Sequence, residues 1–320
     1  MPLLRRTLPW LIAATLLFLL FRRYPLAEVL EAARHANLAA YVGFLLLYFA
    51  FTSFADSWSL SKNLAHFGAP GPVIKALKLR LAANLAMVIN FGVGQGILAY
   101  LIRQHYRIGY ARASSILMFQ MLNDLYMTLS ISFAGTFFTE VVIGGLDLVP
   151  WIRALWVFAT LASLAGYFII RYTSLLDRVP WQPLRDLFHT FHQSGIEDYL
   201  RVMMWRLPLH CAGVTYLYFL ALCFGMHIPL EKVITLLPLT IAIGAIPITP
   251  SGLGTVQVTA IYLFQGFISG NAISNGEIEP AEIIFAMSIS FTLGIYVLKL
   301  ASGLMFYRYA SNVDVPEAGS

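Results

Sequence analysis

Asn90–Gly96 reads NFGVGQG and Pro247–Gly254 reads PITPSGLG, and each stretch interrupts an otherwise apolar segment. The interruptions fall at matching places in the two halves of a 320-residue chain. In the second, Pro247 and Pro250 each remove a backbone donor and crowd the preceding turn, so with Gly252 and Gly254 the run cannot stay helical. In the first, glycine recurs at positions 92, 94 and 96. Gly and Pro are frequent in membrane helices, and Gly92, Gly94 and Gly96 also suit close helix packing, so one break alone is weak evidence. Paired breaks are a stronger pattern. Unpartnered backbone groups are tolerated at membrane depth only where they line a cavity or pack against protein.

The surroundings of both breaks are apolar because the whole chain is. Hydrophobic residues make up 59% and charged residues 12%, with a mean hydropathy of +0.73. Soluble domains carry about 25% charged residues, so this chain cannot cover a globular surface with polar groups. Its long apolar runs predict an all-α polytopic membrane protein. The net charge of +5 and pI near 9.2 read as Lys and Arg in cytoplasmic loops, not as nucleic-acid binding. Cys211 and Cys223 lie in one apolar helix and form neither a disulfide framework nor a metal motif. His189 and His192 lack the further ligands that zinc needs, and no metal or cofactor is expected. HExxH, G-x-S-x-G and Walker A patterns are absent, and GVGQG has no strand before it.

Working outward, the first break sits in a segment over Ala76–Leu101 and the second in one over Leu230–Phe267. Roughly six full spans surround them: Leu8–Phe21, Leu38–Leu60, Ser114–Phe138, Trp151–Ile170, Val202–Met226 and Ile283–Tyr307. The first resembles a signal sequence. It is followed by Arg22, Arg23 and Tyr24 instead of a small-x-small cleavage site, so an uncleaved helix is expected. Pro25–Asn37 reads as an amphipathic interfacial helix. Arg171–Arg201 reads as a loop holding a surface-lying helix.

Lys and Arg set the orientation. Lys62, Lys75, Lys78, Arg80, Arg103, Arg107 and Arg112 flank the first broken segment, which places both its ends in the cytoplasm with the 171–201 loop and the C-terminus. The 139–150 and 269–282 loops carry no Lys or Arg and belong outside. The first broken segment then enters and leaves from inside, the second from outside, as two re-entrant hairpins. This predicts an inverted repeat over residues 1–138 and 139–308 with a polar tail at 309–320, in a cell inner membrane. Arg22, Arg23 and Arg34 fall outside in this scheme, against the charge bias.

Ionisable side chains in apolar segments are functional candidates, since a charge at the bilayer centre costs ~2.5–3.5 kcal/mol or more. Here they are Asp56, Arg80, Asp124, Arg206, His210 and Lys299. Arg206, near a helix end, is expected to snorkel to headgroups. Asp124 is too deep and too short for that, and Arg80 or Lys299 is its expected partner. His210 reads as a hydrogen-bonded core residue. Asn84, Asn90, Gln95, Thr249, Ser251, Thr255 and Gln257 supply neutral donors and acceptors around the breaks, where free helix N-termini favour an anion such as phosphate.

Arg80-x-x-x-Asn84, Gly94-Gln95-Gly96, Tyr100-Leu101-Ile102-Arg103, Asp124 and Pro247-Ile248-Thr249-Pro250-Ser251-Gly252-Leu253-Gly254 resemble the transmembrane flippase region of lysylphosphatidylglycerol synthases and its stand-alone relatives. The resemblance runs from about Leu38 to Arg308, with the P-x-x-P-x-G-L-G stretch its most specific part. It implies a membrane lipid as partner and substrate, a phospholipid or a polyprenyl-phosphate-linked headgroup moved between leaflets. Arg80, Asn84, Asn90, Gln95, Asp124, Thr249, Pro250, Gly252, Gly254 and Gln257 would bind it along a central groove, with Asp56, Arg206 and Lys299 as charge partners. The aminoacyl-transfer domain of the synthases is not in this sequence, so no lipid aminoacylation is expected. Where the family tends to carry Glu, Glu-Arg and Glu, this chain has Gln95, Gln120 with Met121, and Gln257. Those changes drop charge and do not suit a cationic lipid. An intramembrane lipid-modifying enzyme using Asp56 or Asp124, and a non-transporting scaffold of a lipid or glycan synthesis complex, are the alternatives. Homo-oligomerisation is left open.

Overall fold

A computed structural model describes residues 2–172, 181–246, 249 and 252–311. Helices α1 (Pro2–Arg23), α2 (Leu26–Arg34), α3 (Leu38–His66), α4 (Val73–Ile89), α5 (Phe91–Tyr106) and α6 (Tyr110–Gly135) come first. A two-strand hairpin, β1 (Val142–Ile143) and β2 (Leu146–Asp147), turns through Gly144 and Gly145, both at positive φ. Then follow α7 (Val149–Tyr172), α8 (Gln182–Leu187), α9 (His189–Gln193), α10 (Ile196–Cys223), α11 (Leu230–Ala245), α12 (Thr255–Phe264), α13 (Asn271–Ser274) and α14 (Pro280–Ser311).

Among the described residues, four helices are long and apolar enough to cross a membrane: α3, α7, α10 and α14. The chain is a multi-pass helical membrane protein. On α7, Trp151, Leu155, Phe158, Leu161, Leu164, Phe168 and Tyr172 are exposed at helical spacing, and only Ile152 of the helix is buried. Such a face has no place in water and suits acyl chains. Two further expected spans, α1 and α6, are 22 and 26 residues long but are not among those four. Arg112, Gln120, Asn123 and Asp124 make α6 the more polar helix.

The chain divides into two compact units. One comprises residues 1–52, 125–161 and 209–296. Its core holds Leu217, Leu220, Phe224, Leu236, Phe264 and Phe285. There α6 and α11 approach so closely that a Cβ on Gly135 would lie 2.9 Å from Thr235 Cα. The other comprises residues 53–124, 162–208 and 297–320, around Leu60, Leu64, Leu79, Leu98, Ile102 and Phe119. Here α9 is packed and not simply surface-lying. Thr190 and Phe191 are buried, Phe191 meets Phe119 edge-on, and the Thr190 N–H donates to Ser115 Oγ at 3.0 Å.

Both expected interruptions require adjustment. The first is narrower than seven residues: only Asn90 leaves the helix, extended at φ −159°, ψ 131°. Gly92, Gly94 and Gly96 lie inside α5. At the second, α11 stops at Ala245 and α12 starts at Thr255. Pro247, Ile248, Pro250 and Ser251 lie outside the described residues, as do residues 173–180 of the expected loop and 312–320 of the tail.

Candidate functional site: a buried charge chain and two capped helix breaks

Four helices of the second unit each contribute one charged side chain: Asp56 from α3, Arg80 from α4, Asp124 from α6 and Arg206 from α10. They alternate in sign. Arg80 Nε donates to Asp56 Oδ2, and Arg206 Nη1 donates to Asp56 Oδ1. Arg206 Nε and Nη2 donate to the two oxygens of Asp124, each at 2.6 Å. Arg80 Nη1 reaches Gln95 Oε1 on α5 at 3.3 Å. Arg80 and Arg206 are 9% and 4% exposed. Buried charges persist when paired and hydrogen-bonded on most of their polar atoms, which this arrangement achieves.

Two expectations are corrected here. Arg206 does not snorkel: its guanidinium points inward, where two carboxylates replace the hydration a headgroup region would supply. The partner of Asp124 is Arg206, not Arg80 or Lys299, while Arg80 pairs with Asp56. Sequence spacing could not find these pairings, which join residues 82 and 24 positions apart.

Asn84, one turn beyond Arg80 on α4, donates Nδ2 to Ser302 Oγ of α14 at 3.1 Å. The helices can meet there because residue 303 is glycine; a Cβ on it would lie 2.9 Å from the Leu85 backbone nitrogen. Lys299, three residues before Ser302, lies within electrostatic range of Arg80 and Asp56. Ser302 was missed from sequence, as a hydroxyl in an apolar run carries little signal. So was the bond from Asn63 Nδ2 to Gln120 Oε1, 2.9 Å long and buried.

The first break is closed locally. Asn90 donates its N–H to Ala86 O at the end of α4, and its Oδ1 accepts the Val93 N–H at 3.2 Å at the start of α5. One residue is thus C-cap of one helix and N-cap of the next. The two helices pack against each other with Gly94 facing Met87: a Cβ there would fall 2.8 Å from Met87 Cα.

The second break belongs to the other unit. Gly252 and Gly254 hold φ of +76° and +87°, which L side chains rarely adopt. Gln257, fully buried, accepts the Gly254 N–H on Oε1 at 2.7 Å and donates Nε2 to Thr292 Oγ1 of α14 at 3.1 Å. Thr255 Oγ1 donates to Gly252 O at 2.9 Å and lies 3.2 Å from Thr249 Oγ1. The expected site residues therefore form two groups. Arg80, Asn84, Asn90, Gln95 and Asp124, with Asp56, Arg206 and Lys299, are in one unit; Thr249, Gly252, Gly254 and Gln257 are in the other. Thr292 joins the second group. Cys211 is exposed and Cys223 buried in the apolar core.

Long apolar helices, with an ion network buried in one of the two units, define a polytopic membrane protein. The chain belongs to the family described as the lysylphosphatidylglycerol synthase TM region, which it matches over residues 7–274. That match begins in α1 and ends before α14, so Thr292, Lys299 and Ser302 lie beyond it. No curated protein and no solved structure matches the chain.

Proposed function

We propose that this protein moves a lipid, a phospholipid or a polyprenyl-phosphate-linked headgroup, between leaflets of a cell inner membrane. In this reading α4–α5 and α11–α12 are re-entrant hairpins of an inverted repeat, α1 and α6 complete six spans, and the C-terminus is cytoplasmic. The observation that carries it is the Arg80–Asp56–Arg206–Asp124 chain, four ionised groups brought from four helices into a protein otherwise built for hydrocarbon. Intramembrane ionisable residues cost too much to serve packing alone and mark pathways for polar cargo. Membership of a lipid-synthase TM family supports a lipid as that cargo.

The enzyme alternative is disfavoured because Asp56 and Asp124 are both engaged by guanidinium groups, which leaves neither placed as a free acid or base. Incubation with lipid extract followed by mass spectrometry separates the two: transport leaves every lipid chemically unchanged, and a new covalent lipid species would favour the enzyme.

A further inference from the structure

The charge chain is balanced only until Lys299 is included. Among the described residues, the three basic groups Arg80, Arg206 and Lys299 stand with two carboxylates, Asp56 and Asp124, and Lys299 is within electrostatic range of Arg80 and Asp56, so a protonated Lys299 leaves one positive charge in excess. The excess is at the Arg80 end, since Arg206 is held by both carboxylates while Arg80 has Asp56 and the neutral Gln95. Lys299 Nζ has no hydrogen-bond partner among the described residues, and its charged neighbours are Arg80 and Asp56. Neutral hydrogen-bonding groups stand in the same place: Asn84, one turn from Arg80, is bonded to Ser302, nearly one turn from Lys299. Ser302 Oγ donates its one proton to Lys299 O at 3.0 Å, so the donors facing this place are two cations on facing helices and the Asn84 amide, a set a tetrahedral oxyanion takes.

We propose that Lys299 and Arg80, with Asn84 held by Ser302, bind the phosphodiester of a lipid carrying one net negative charge, and that Lys299 sets this preference over zwitterionic and cationic headgroups. The assignment rests on the lipid-transport reading and deepens it. A single uncompensated positive charge matches a single phosphodiester charge, whereas a net-cationic headgroup meets repulsion from both Arg80 and Lys299. The preference belongs to this chain's own α14, outside the span that its family match covers.

The test measures binding of phosphatidylglycerol, phosphatidylcholine and a synthetic cationic diacyl lipid to the purified full chain by native mass spectrometry. Wild type is expected to prefer phosphatidylglycerol. Lys299→Gln should weaken that lipid on the order of tenfold, as loss of one charge-assisted contact implies, with phosphatidylcholine unchanged and Lys299→Arg close to wild type. Equal binding of the three lipids by wild type overturns the assignment even if Lys299→Gln fails to fold, as does a folded Lys299→Gln that keeps the preference. Inorganic phosphate displacing phosphatidylglycerol would assign the cations to a soluble anion and overturn the lipid. Leaflet exchange that persists with no lipid preference removes this site and leaves transport standing; a preference without exchange keeps the site and removes transport.

Discussion

Arg206 holds Asp124 with two arms of its guanidinium, Nε and Nη2 each 2.6 Å from a different carboxylate oxygen. The third nitrogen, Nη1, donates to Asp56. One side chain on α10 therefore ties α6 and α3 together, and removing it strands Asp124 in an apolar setting and leaves Asp56 to Arg80 alone. Such a loss is far more costly than the net worth of the pair, because the remaining charge keeps its desolvation penalty.

Arg206→Gln is expected to cost about 3–5 kcal/mol, read as a large fall in melting temperature in detergent. Arg206→Lys should recover only part, as an ammonium cannot reproduce the two-pronged contact. Adding Asp124→Asn to Arg206→Gln should restore some stability by discharging the stranded group. A melting temperature for Arg206→Gln equal to wild type would refute the pairing.

Gly94 and Gly96 separate packing from helix propensity in α5. A Cβ on Gly94 would meet Met87 Cα at 2.8 Å, but one on Gly96 finds nothing nearer than Tyr110 Oη at 3.7 Å. Gly94→Ala should destabilise by about 1–3 kcal/mol through overpacking. Gly96→Ala should be neutral or slightly stabilising, since Ala is the better helix former. Equal unfolding curves for the two variants would contradict the close α4–α5 contact.

Asn90 ends one helix and starts another, and its side-chain oxygen is the acceptor that caps the second. Asn90→Ala should cost about 1 kcal/mol, the usual worth of an N-cap, while Asn90→Ser keeps a neutral acceptor for the Val93 N–H and should stay near wild type. Thermal unfolding of both variants checks this; indifference to the Ala substitution would mean the cap is not made.

Much of this architecture was legible from residue types. Apolar runs gave the long helices because hydrocarbon demands about 20 apolar residues per span, and the prolines and glycines of PITPSGLG marked where α11 must stop. In NFGVGQG only Asn90 leaves the helix; α5 contains the three glycines, and Gly94 serves close contact with Met87 instead of a change of backbone direction. The charged residues were identified individually, but their partners were not. Arg206 and Asp124 meet through tertiary packing, and a desolvated guanidinium outbids its own snorkelling only where carboxylates wait, which spacing along the chain does not encode.

Gln257 and Gln95 separate a transporter from a scaffold. Gln257→Leu leaves the Gly254 N–H and Thr292 hydroxyl without their partner and should cost about 1–3 kcal/mol. Gln95→Leu removes only a 3.3 Å contact with Arg80 and should fold nearly as wild type. If lipid movement is the function, folded Gln95→Leu should still exchange lipid more slowly than wild type; a scaffold would support growth and complex assembly unchanged with either substitution.

The most direct measurement is leaflet exchange of fluorescent phospholipids and polyprenyl phosphates in sealed proteoliposomes, read by quenching the outer leaflet. The buried Arg80–Asp56–Arg206–Asp124 chain predicts that the inner pool becomes accessible well above the protein-free rate for at least one lipid class. No exchange of any class by correctly folded protein would contradict the account.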